Sequence, residues 1–253
     1  MLNDITEIFL VYKVRDRYNE KKTLQEEKNM KYKALLFDLD GTLTASGEGI
    51  TKSVQYALEK MGMGDKAQDL KALEVFIGPP LLQSYMKYCS MTEEQAKQAV
   101  IYYRERYNVT GLFENMPYDG IQELLQKASE KRYILAVASS KPDELVKKIL
   151  EHFHLDGYFQ VIVGSDKNQL KMTKADVIEI ALERLGMKEE RRSAVMIGDR
   201  DQDVNGAKTA GLDCIGVTYG YGSRGELEEA GADRIADTPE ELGCILELQG
   251  GQI

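Results

Sequence analysis

The chain has 253 residues with 43% hydrophobic content, enough for one large domain or for a domain with an insert. A net charge of -9 disfavours nucleic acid and anionic membranes as partners, because polyphosphate surfaces would repel it, and three scattered cysteines indicate neither a disulfide framework nor a zinc site. No apolar run approaches the roughly 20 residues of a membrane helix, and the N-terminus lacks the basic region of a signal peptide, so we expect a cytoplasmic protein.

The chain starts with an extension, residues 1 to 30, whose pattern differs from that of the remaining chain. Residues 5 to 14 are apolar with mixed periodicity, and residues 15 to 29 are mostly charged and polar. The segment is either a docking or dimerisation arm or a dispensable extension. We favour the dispensable extension, because few apolar residues here offset the entropy cost of ordering the segment. Whether the protein is a monomer or a homodimer stays open.

The first strong pattern is an apolar run that ends in two carboxylates, a glycine and a threonine. Lys33 to Phe37 is short and apolar, as expected of a strand buried on both faces of a parallel sheet. Asp38 then lies at the carboxyl end of this strand, where open α/β sheets bind their ligands. Asp40 follows two residues later, and Gly41 permits the chain to turn.

A block of helices comes next, without a convincing strand. The predicted helices cover Ile50 to Met61, Ala67 to Phe76, Pro80 to Tyr88 and Thr92 to Asn108. Thr92 is a plausible N-cap of the last of these helices. Residues 46–116 are therefore predicted to form a helical cap, inserted between the first strand and the next unit of the core.

From residue 117 onwards the pattern changes to alternating helices and strands. The predicted strands are Tyr133 to Ala138, Phe159 to Val163, Ala194 to Ile197 and Cys214 to Val217, and the predicted helices are Ile121 to Lys131, Pro142 to Phe153, Lys174 to Leu185, Val204 to Ala210 and Pro239 to Leu248. Such alternation implies a parallel sheet with helices on both faces. Residues 31–45 and 117–253 are thus predicted to form one α/β core.

Three further segments of this core carry polar residues that suit an acidic site. Ser139 offers a hydroxyl just before a helix N-terminus, a ready anion site. Lys174 opens the next helix, where a cation opposes the helix dipole and needs an anion nearby. Lys171 and Lys167 are rivals of Lys174 for the same role, and any of the three is also readable as a surface lysine.

The last of these segments holds an acidic cluster. Asp199, Asp201 and Asp203 stand at two-residue steps after an apolar strand and before a helix. Carboxylates this close repel one another unless a cation is present. Hard oxygen ligands with room for waters suit Mg²⁺, so we predict a magnesium site.

These four stretches, in this order, resemble the four motifs of the haloacid dehalogenase superfamily, and together they span the core. The resemblance implies a Rossmann-like core with a helical cap, and Mg²⁺-dependent hydrolysis through an aspartyl-phosphate. It implies that Asp38 is the nucleophile, that Asp40 is the general acid and base, that Ser139 holds the phosphoryl group and that Lys174 neutralises it. The metal ligands would be the Asp38 carboxylate, the Asp40 carbonyl and Asp199, with Asp203 helping directly or through water.

The helical insert and a late core segment resemble the phosphoglycolate phosphatase-like branch, which includes members named 5'-nucleotidases. The resemblance is carried by Phe76 to Leu81, Tyr103 to Tyr107, Gly111 to Asn115 and Gly220 to Arg224. It implies a small phosphorylated metabolite, a nucleoside 5'-monophosphate or 2-phosphoglycolate, as substrate. The predicted substrate-binding residues are Gly41, Thr42, Gly78, Arg104 and Ser140. Arg106 and Lys87 are further candidate anion contacts, although solvated helix charges are the commoner role for any one of them.

One departure and two alternatives remain. Related chains often carry an Asp-Gly turn before the motif lysine, where this chain has Asp166 followed by Lys167. A mutase of the β-phosphoglucomutase kind is one alternative, because it shares all four motifs. Such mutases resemble one another in a cap histidine soon after the first motif. Both histidines of this chain, His152 and His154, follow the second motif instead. A non-catalytic phospho-ligand-binding or signalling protein is the other alternative, although no motif residue is missing.

Overall fold

The computed structural model describes residues 30–166 and 172–248. Six strands in the described ranges are β1 (Ala34–Phe37), β2 (Ile134–Pro142), β3 (Val161–Ser165), β4 (Ala194–Gly198), β5 (Asp213–Val217) and β6 (Arg234–Ala236). The α-helices are α1 (Gly47–Lys60), α2 (Leu81–Cys89), α3 (Glu93–Arg106), α4 (Ile121–Glu130), α5 (Asp143–His152), α6 (Lys174–Arg184), α7 (Asp201–Ala210), α8 (Arg224–Ala230) and α9 (Pro239–Ile245). The predicted N-terminal extension, apart from Met30, lies outside the described residues.

The strands form one parallel sheet in the order β3-β2-β1-β4-β5-β6. Phe37, the last residue of β1, pairs with Val137 on one side and with Ile197 on the other. Because the chain order reverses on the two sides of β1, a crevice opens at the carboxyl end of this strand. The predicted site residues follow β1, β2 and β4, so three neighbouring strands deliver them to the same edge.

The alternation of side chains along β1 builds a core on both faces of the sheet. Leu35 and Phe37 pack with the apolar faces of α4, α5 and α9 and with helices of the insertion. Ala34 and Leu36 point the other way and pack against α6 and α7. All four side chains are fully buried, which explains why the strand reads as a continuous apolar run. The predicted α/β fold with helices on both faces is confirmed.

A helical insertion between β1 and β2 is also confirmed, and residues 46–116 contain no strand. The predicted helix from Ala67 to Phe76 is wrong, however, because two short 3-10 helices, Gly64–Ala67 and Lys71–Phe76, occupy this region. The carboxylate of Asp69 accepts the backbone N–H of Lys71 at 2.9 Å, an alternative to the helical backbone bond that interrupts a regular helix. The residue boundaries of a separate cap domain stay a prediction.

The chain forms a further helix and strand that the sequence patterns did not predict, α8 and β6. The Ser223 hydroxyl caps α8 by accepting the N–H of Glu226 at 3.1 Å, and Gly231 ends the helix in the left-handed region at φ 78°. Both elements are too short to show a clear hydrophobic period. No helix within residues 30–166 and 172–248 has the length and apolar character needed to cross a membrane.

Candidate active site

Asp38 lies at the centre of the sheet edge, directly after β1. Its backbone N–H donates to the carbonyl of Ile197 at 2.9 Å, and its Oδ1 accepts the N–H of Leu39 at 2.7 Å. Burial raises the pKa of Asp38 to about 6, although the nearby Lys174 ammonium opposes this rise. Asp38 is therefore a buried carboxylate whose charge is only partly compensated by its surroundings.

Lys174 is the residue that the structure brings to Asp38. Its Nζ lies 2.9 Å from Asp38 Oδ1 and 2.8 Å from Asp203 Oδ1, and it forms an ion pair with each carboxylate. The ammonium also donates to the carbonyl of Ala138 at 3.2 Å. Burial lowers the pKa of Lys174, but the two carboxylates outweigh burial and raise it above its ordinary value. The anion that a lysine at a helix N-terminus requires is thus present twice.

The start of α6 explains how Lys174 is held there. Thr173 caps the helix by accepting the N–H of Asp176 at 3.2 Å, and the Asp176 carboxylate accepts the N–H of Thr173 at 2.8 Å. This reciprocal pair fixes the first turn, so the lysine side chain leaves the helix towards the sheet edge. The two rival lysines, Lys167 and Lys171, lie outside the described residues.

A cluster of three buried carboxylates lies beside this lysine. Asp38, Asp199 and Asp203 each offer an oxygen, and these oxygens lie within 4.8 Å of one another. Burial and the neighbouring charge of Asp203 raise the pKa of Asp199 well above its ordinary value. Asp201 is not part of the cluster, because it starts α7 and is only half-buried. An all-oxygen set of this kind could hold a hard divalent cation.

Backbone groups orient the two acids that follow β4. Asp199 Oδ2 accepts the N–H of Tyr221 at 2.8 Å, and Asp203 Oδ2 accepts the N–H of Arg200 at 3.1 Å. Asp199 forms no ion pair within the described part of the chain. Gly198 leaves room for Asp203, because a Cβ there would lie 2.2 Å from the carboxylate carbon. The glycine that frames the acidic motif therefore has a packing function.

Gly41 and Thr42 lie against the same acids. Gly41 has a φ of 84°, and a Cβ on it would lie 2.1 Å from Asp199 Oδ2, so both backbone and space require glycine. The Thr42 hydroxyl lies 3.5 Å from Asp199 Oδ1, at the outer limit of a hydrogen bond. Their close approach to Asp199 is a reason for these residue types that needs no ligand, and their predicted role towards substrate stays a prediction.

Asp40 is paired with a lysine that the sequence motifs did not single out. Lys141 Nζ lies 2.7 Å from Asp40 Oδ2, and both side chains are less than 10% exposed. The same ammonium lies 4.8 Å from the centre of the Tyr107 ring, which belongs to the insertion. Ser139, next to this pair, is buried, and its hydroxyl accepts the backbone N–H of Lys141 at 3.3 Å. The sequence signal that could have identified Lys141 as a site residue is its position two residues after Ser139 in the second motif.

A cleft of about 390 Å³ leads to Asp40 between the insertion and the core. The core lines it with Asp40, Ser140, Lys141, Pro142, Leu145, Ser165, Asp166 and Met172. The insertion contributes a mostly apolar wall made of Ile50, Phe76, Gly78, Pro79, Pro80, Leu81, Leu82, Val100, Ile101, Tyr103 and Tyr107, and the polar residues Lys97, Arg104 and Asn108. The cleft therefore combines the Asp40–Lys141 ion pair with a large apolar surface.

Some of the predicted substrate-binding residues and candidate anion contacts line the cleft, and others do not. Gly78, Arg104 and Ser140 line the cleft. Arg106 does not, because its guanidinium forms a bidentate pair with Glu114 at 2.7 and 2.9 Å. This pair lowers the pKa of Glu114.

Lys87, the other further candidate, does not line the cleft either. Its ammonium lies 4.9 Å from the centre of the Tyr88 ring on an exposed part of α2. The cations that the insertion contributes to the cleft are therefore Lys97 and Arg104. Both of these side chains have solvent-exposed positions on α3, as expected for cations at a cleft entrance.

Comparisons with known proteins agree with this architecture. The family model for haloacid dehalogenase-like hydrolases matches residues 35–217. A 5'-nucleotidase from Pseudomonas aeruginosa is 46% identical over 198 residues, which cover 78% of this chain and 88% of that protein. A phosphoglycolate phosphatase from Aquifex aeolicus is 32% identical over 75% of this chain and 86% of the relative.

Two further similarities extend the range of relatives. The tyrosine-protein kinase PtkA from Mycobacterium tuberculosis is 37% identical over 74% of this chain and 62% of that protein. Among solved structures, "a predicted phosphatase from Clostridium acetobutylicum" superposes with a TM-score of 0.81 at 49% identity, covering 85% of this chain and 99% of the other. The relatives thus share the fold while their names differ in substrate.

Proposed function

The chain belongs to the haloacid dehalogenase-like hydrolases, as a phosphatase of the phosphoglycolate phosphatase and 5'-nucleotidase-like branch, and we propose that it hydrolyses the phosphate monoester of a small metabolite through an aspartyl-phosphate on Asp38. The observation that carries this proposal is the buried contact between Asp38 and Lys174, beside Asp199 and Asp203. A carboxylate can attack a phosphate dianion only where positive charge offsets their repulsion.

We propose Mg²⁺ as the cofactor, held by the carboxylates of Asp38, Asp199 and Asp203 and by the backbone carbonyl of Asp40. The donor set fits this ion, because it is made of oxygens and because Lys174 pairs with only two of three buried acids. When bound, Mg²⁺ would neutralise charge on the phosphoryl oxygens and orient the group for in-line displacement.

The residues of the chain account for the two half-reactions. In the first, an Asp38 oxygen forms a bond to phosphorus, the ester P–O bond breaks, and the protonated form of Asp40 gives its proton to the leaving oxygen. In the second, Asp40 takes a proton from water, the water oxygen attacks phosphorus, and the bond to Asp38 breaks to release phosphate. Lys174 offsets the charge on the phosphoryl oxygens, and the Ser139 hydroxyl donates to them.

Of the two substrate classes, the cleft favours a nucleoside 5'-monophosphate. Its volume of about 390 Å³ is within the range of about 300 to 1,000 Å³ for sites that bury a ligand of this size. Phe76, Tyr103 and the prolines of the insertion present apolar and aromatic surface suited to a base and a ribose. The glycolate group of 2-phosphoglycolate would leave most of this surface uncovered.

The mutase alternative finds less support. Neither histidine of the chain, His152 or His154, lines the cleft, and His152 packs against Phe113 with ring centres 4.9 Å apart. The described cleft therefore has no histidine on the insertion side that could transfer protons in addition to Asp40. The name of one relative suggests phosphoryl transfer to or from a protein tyrosine. This reaction is disfavoured because the insertion lines the approach to Asp40.

The test is Mg²⁺-dependent phosphate release from a panel of nucleoside 5'-monophosphates, 2-phosphoglycolate, sugar phosphates, phosphotyrosine and pyrophosphate. We expect release from nucleoside monophosphates that is abolished by EDTA and by Asp38→Asn. Asp201→Asn is the matched control, because it makes the same chemical change in the same region outside the cluster and should retain activity. No release from any substrate by folded protein with Mg²⁺ present would refute the proposal and favour a non-catalytic phospho-ligand-binding protein.

A further inference from the structure

One side chain runs from the acidic loop after β4 to the insertion. Arg200, next to Asp199, donates from Nη1 to the backbone carbonyl of Ile77 at 2.8 Å. Its Nε donates to Glu226 Oε1 at 2.8 Å. The side chain is only 14% exposed, so these bonds are shielded from competing water. Arg200 therefore joins three segments, namely the acidic loop, α8 and the insertion.

The guanidinium is held in place from the core side. Glu226 Oε1 also accepts the N–H of Asp201 at 3.0 Å, so the carboxylate that orients Arg200 is itself fixed to the start of α7. Gly222 contributes space, because a Cβ there would lie 1.8 Å from the Asp199 carbonyl oxygen and 3.3 Å from Arg200 Cδ. The arginine is thus oriented by contacts within the core, and its Nη1 reaches the insertion.

The segment that Arg200 reaches is part of the cleft wall. Ile77 is fully buried, and Gly78, Pro79 and Pro80, which follow it, all line the cleft. Gly78 has a φ of 98°, and a Cβ on it would lie 3.3 Å from Arg200 Cγ. The loop therefore packs closely against the arginine side chain at Gly78, where both the backbone conformation and the space favour glycine.

A second link between the same two regions lies elsewhere and has a different role. The Tyr221 hydroxyl accepts the N–H of Gly47 at 2.5 Å, at the first residue of α1. That contact is at the connection between core and insertion, whereas the Arg200 contact is at the wall of the cleft. The Arg200 contact joins the acidic loop to the cleft wall, whereas the Lys141–Tyr107 contact joins the Asp40 side of the site to the insertion.

We infer that Arg200 is a positioning residue that holds the loop of residues 77–80 against the leaving group of the substrate. This inference rests on the proposed function, because it assumes that the leaving group occupies the cleft. Loss of a hydrogen bond from a charged donor changes an equilibrium constant by about tenfold or more. Loss of the contact should therefore weaken binding of a large leaving group without changing the chemistry at Asp38.

The experiment compares Arg200→Ala and Arg200→Lys with the control Arg224→Ala. Arg224 belongs to the neighbouring helix, is 49% exposed and pairs with Asp237 at 2.6 Å without touching the insertion. For Arg200→Ala we expect KM for a nucleoside 5'-monophosphate to rise about tenfold. Turnover of acetyl phosphate, which has no leaving group that fills the cleft, should change less than about twofold. Arg200→Lys keeps the charge without the two-pronged geometry and should restore only part of the loss.

Two further measurements separate this role from a purely structural one. The Mg²⁺ concentration for half-maximal activity should stay within about twofold in Arg200→Ala, and an increase as large as the KM change would overturn the inference. Gly78→Ala alters the same contact from the insertion side and should reproduce the KM change. An equal loss of turnover for both substrates would also overturn the inference, because it would indicate damage to the reacting groups.

Hydrogen exchange keeps the inference independent of activity. In the metal-free and substrate-free protein, backbone amides in a peptide spanning residues 71–82 should exchange about tenfold faster in Arg200→Ala than in wild type or Arg224→Ala. Unchanged exchange would refute the contact. Faster exchange in a protein that hydrolyses no nucleotide would uphold the positioning of the loop while refuting the proposed substrate, so the two failures are distinguishable.

Discussion

In the metal-free protein, Asp38→Asn should raise the free energy of unfolding, although it removes the proposed nucleophile. Burial raises the pKa of Asp38 from 3.8 to about 6, despite attraction to Lys174. The difference between these pKa values corresponds to about 3 kcal/mol by which folding disfavours the ionised carboxylate at neutral pH. Asparagine has nearly the same shape and no charge, so it should recover up to that amount. For a chain of this size, this is a rise in Tm of about 6 to 12 °C.

The pH dependence fixes the sign of this effect. Because the pKa of Asp38 is higher in the folded than in the unfolded protein, the folded state binds more protons between pH 3.8 and about 6. Below that window both states are protonated and Asp38 carries no penalty. The penalty grows as the pH rises through the window and is complete above about pH 6. The advantage of Asp38→Asn over wild type should therefore be small at pH 4 and full at pH 7.5.

The assay is thermal unfolding of both proteins in EDTA at these two pH values and again with Mg²⁺. Mg²⁺ should raise the Tm of the wild type much more than that of the variant. The difference in Tm between the two proteins should therefore shrink or change sign. Asp143→Asn serves as the control of opposite sign. Burial opposes the shift, but Lys147 and the N–H of Gly164 hold the pKa of Asp143 below its ordinary value, so its neutralisation should destabilise the protein. A lower Tm for Asp38→Asn in EDTA at pH 7.5 would refute the reasoning.

Three further predictions concern the surroundings of this acid. Gly41→Ala should cost more than about 2 kcal/mol of stability and weaken Mg²⁺ binding, measured by denaturant unfolding and calorimetry, because φ is 84° and no space exists for a Cβ. Lys174→Met should lower kcat by about 100-fold to 1,000-fold, whereas the exposed Lys147→Met should not. Arg104→Ala should raise KM for a nucleotide, because Arg104 lines the cleft. Arg106→Ala should lower Tm and leave KM within about twofold of the wild-type value, because Arg106 pairs with Glu114. Equal effects of the two substitutions on KM would contradict a purely structural role of Arg106.

The sequence was most informative where local pattern and sheet topology act together. Apolar runs that end in acids predict residues at strand ends, and parallel neighbours necessarily bring such ends to one edge. Asp38 and Asp199 therefore meet because β1 and β4 are adjacent, although the two stretches lie far apart in the chain. The electrostatic argument for Lys174 also predicted an anion at its helix N-terminus, and the structure has two.

Contacts made by loops could not be predicted in this way. The Asp40–Lys141 and Arg200–Ile77 contacts join residues that are distant in the chain, and no periodicity encodes the direction of a side chain outside regular structure. The helical pattern from Ala67 to Phe76 failed for a local reason, since the Asp69 carboxylate competes with the helix backbone. Patterns predict elements and their order, whereas loop geometry decides which charges meet.

Lys141 provides the last prediction, because it contacts the proposed general acid and base. Its ammonium lies 2.7 Å from Asp40 Oδ2, while Asp40 Oδ1 has no hydrogen-bond partner within the described residues. Lys141→Met keeps the apolar stem against Tyr107 and removes the charge. We expect it to reduce the free energy of unfolding by about 3 to 5 kcal/mol, because a buried carboxylate loses its partner, and to lower kcat. Unfolding in denaturant and steady-state kinetics measure the two effects, with Lys148→Met as the exposed control on the neighbouring helix.

A double-mutant cycle decides whether Lys141 acts through Asp40 or on the substrate. If the lysine orients Asp40, then Lys141→Met should change kcat little once Asp40→Asn is present, because the group it orients is gone. If it contacts the phosphoryl group or the leaving oxygen directly, the two losses should add. We expect the first result, since the Lys141 ammonium is buried and lies 2.7 Å from Asp40 Oδ2, within direct ion-pair distance. Additive losses would assign Lys141 to substrate binding instead.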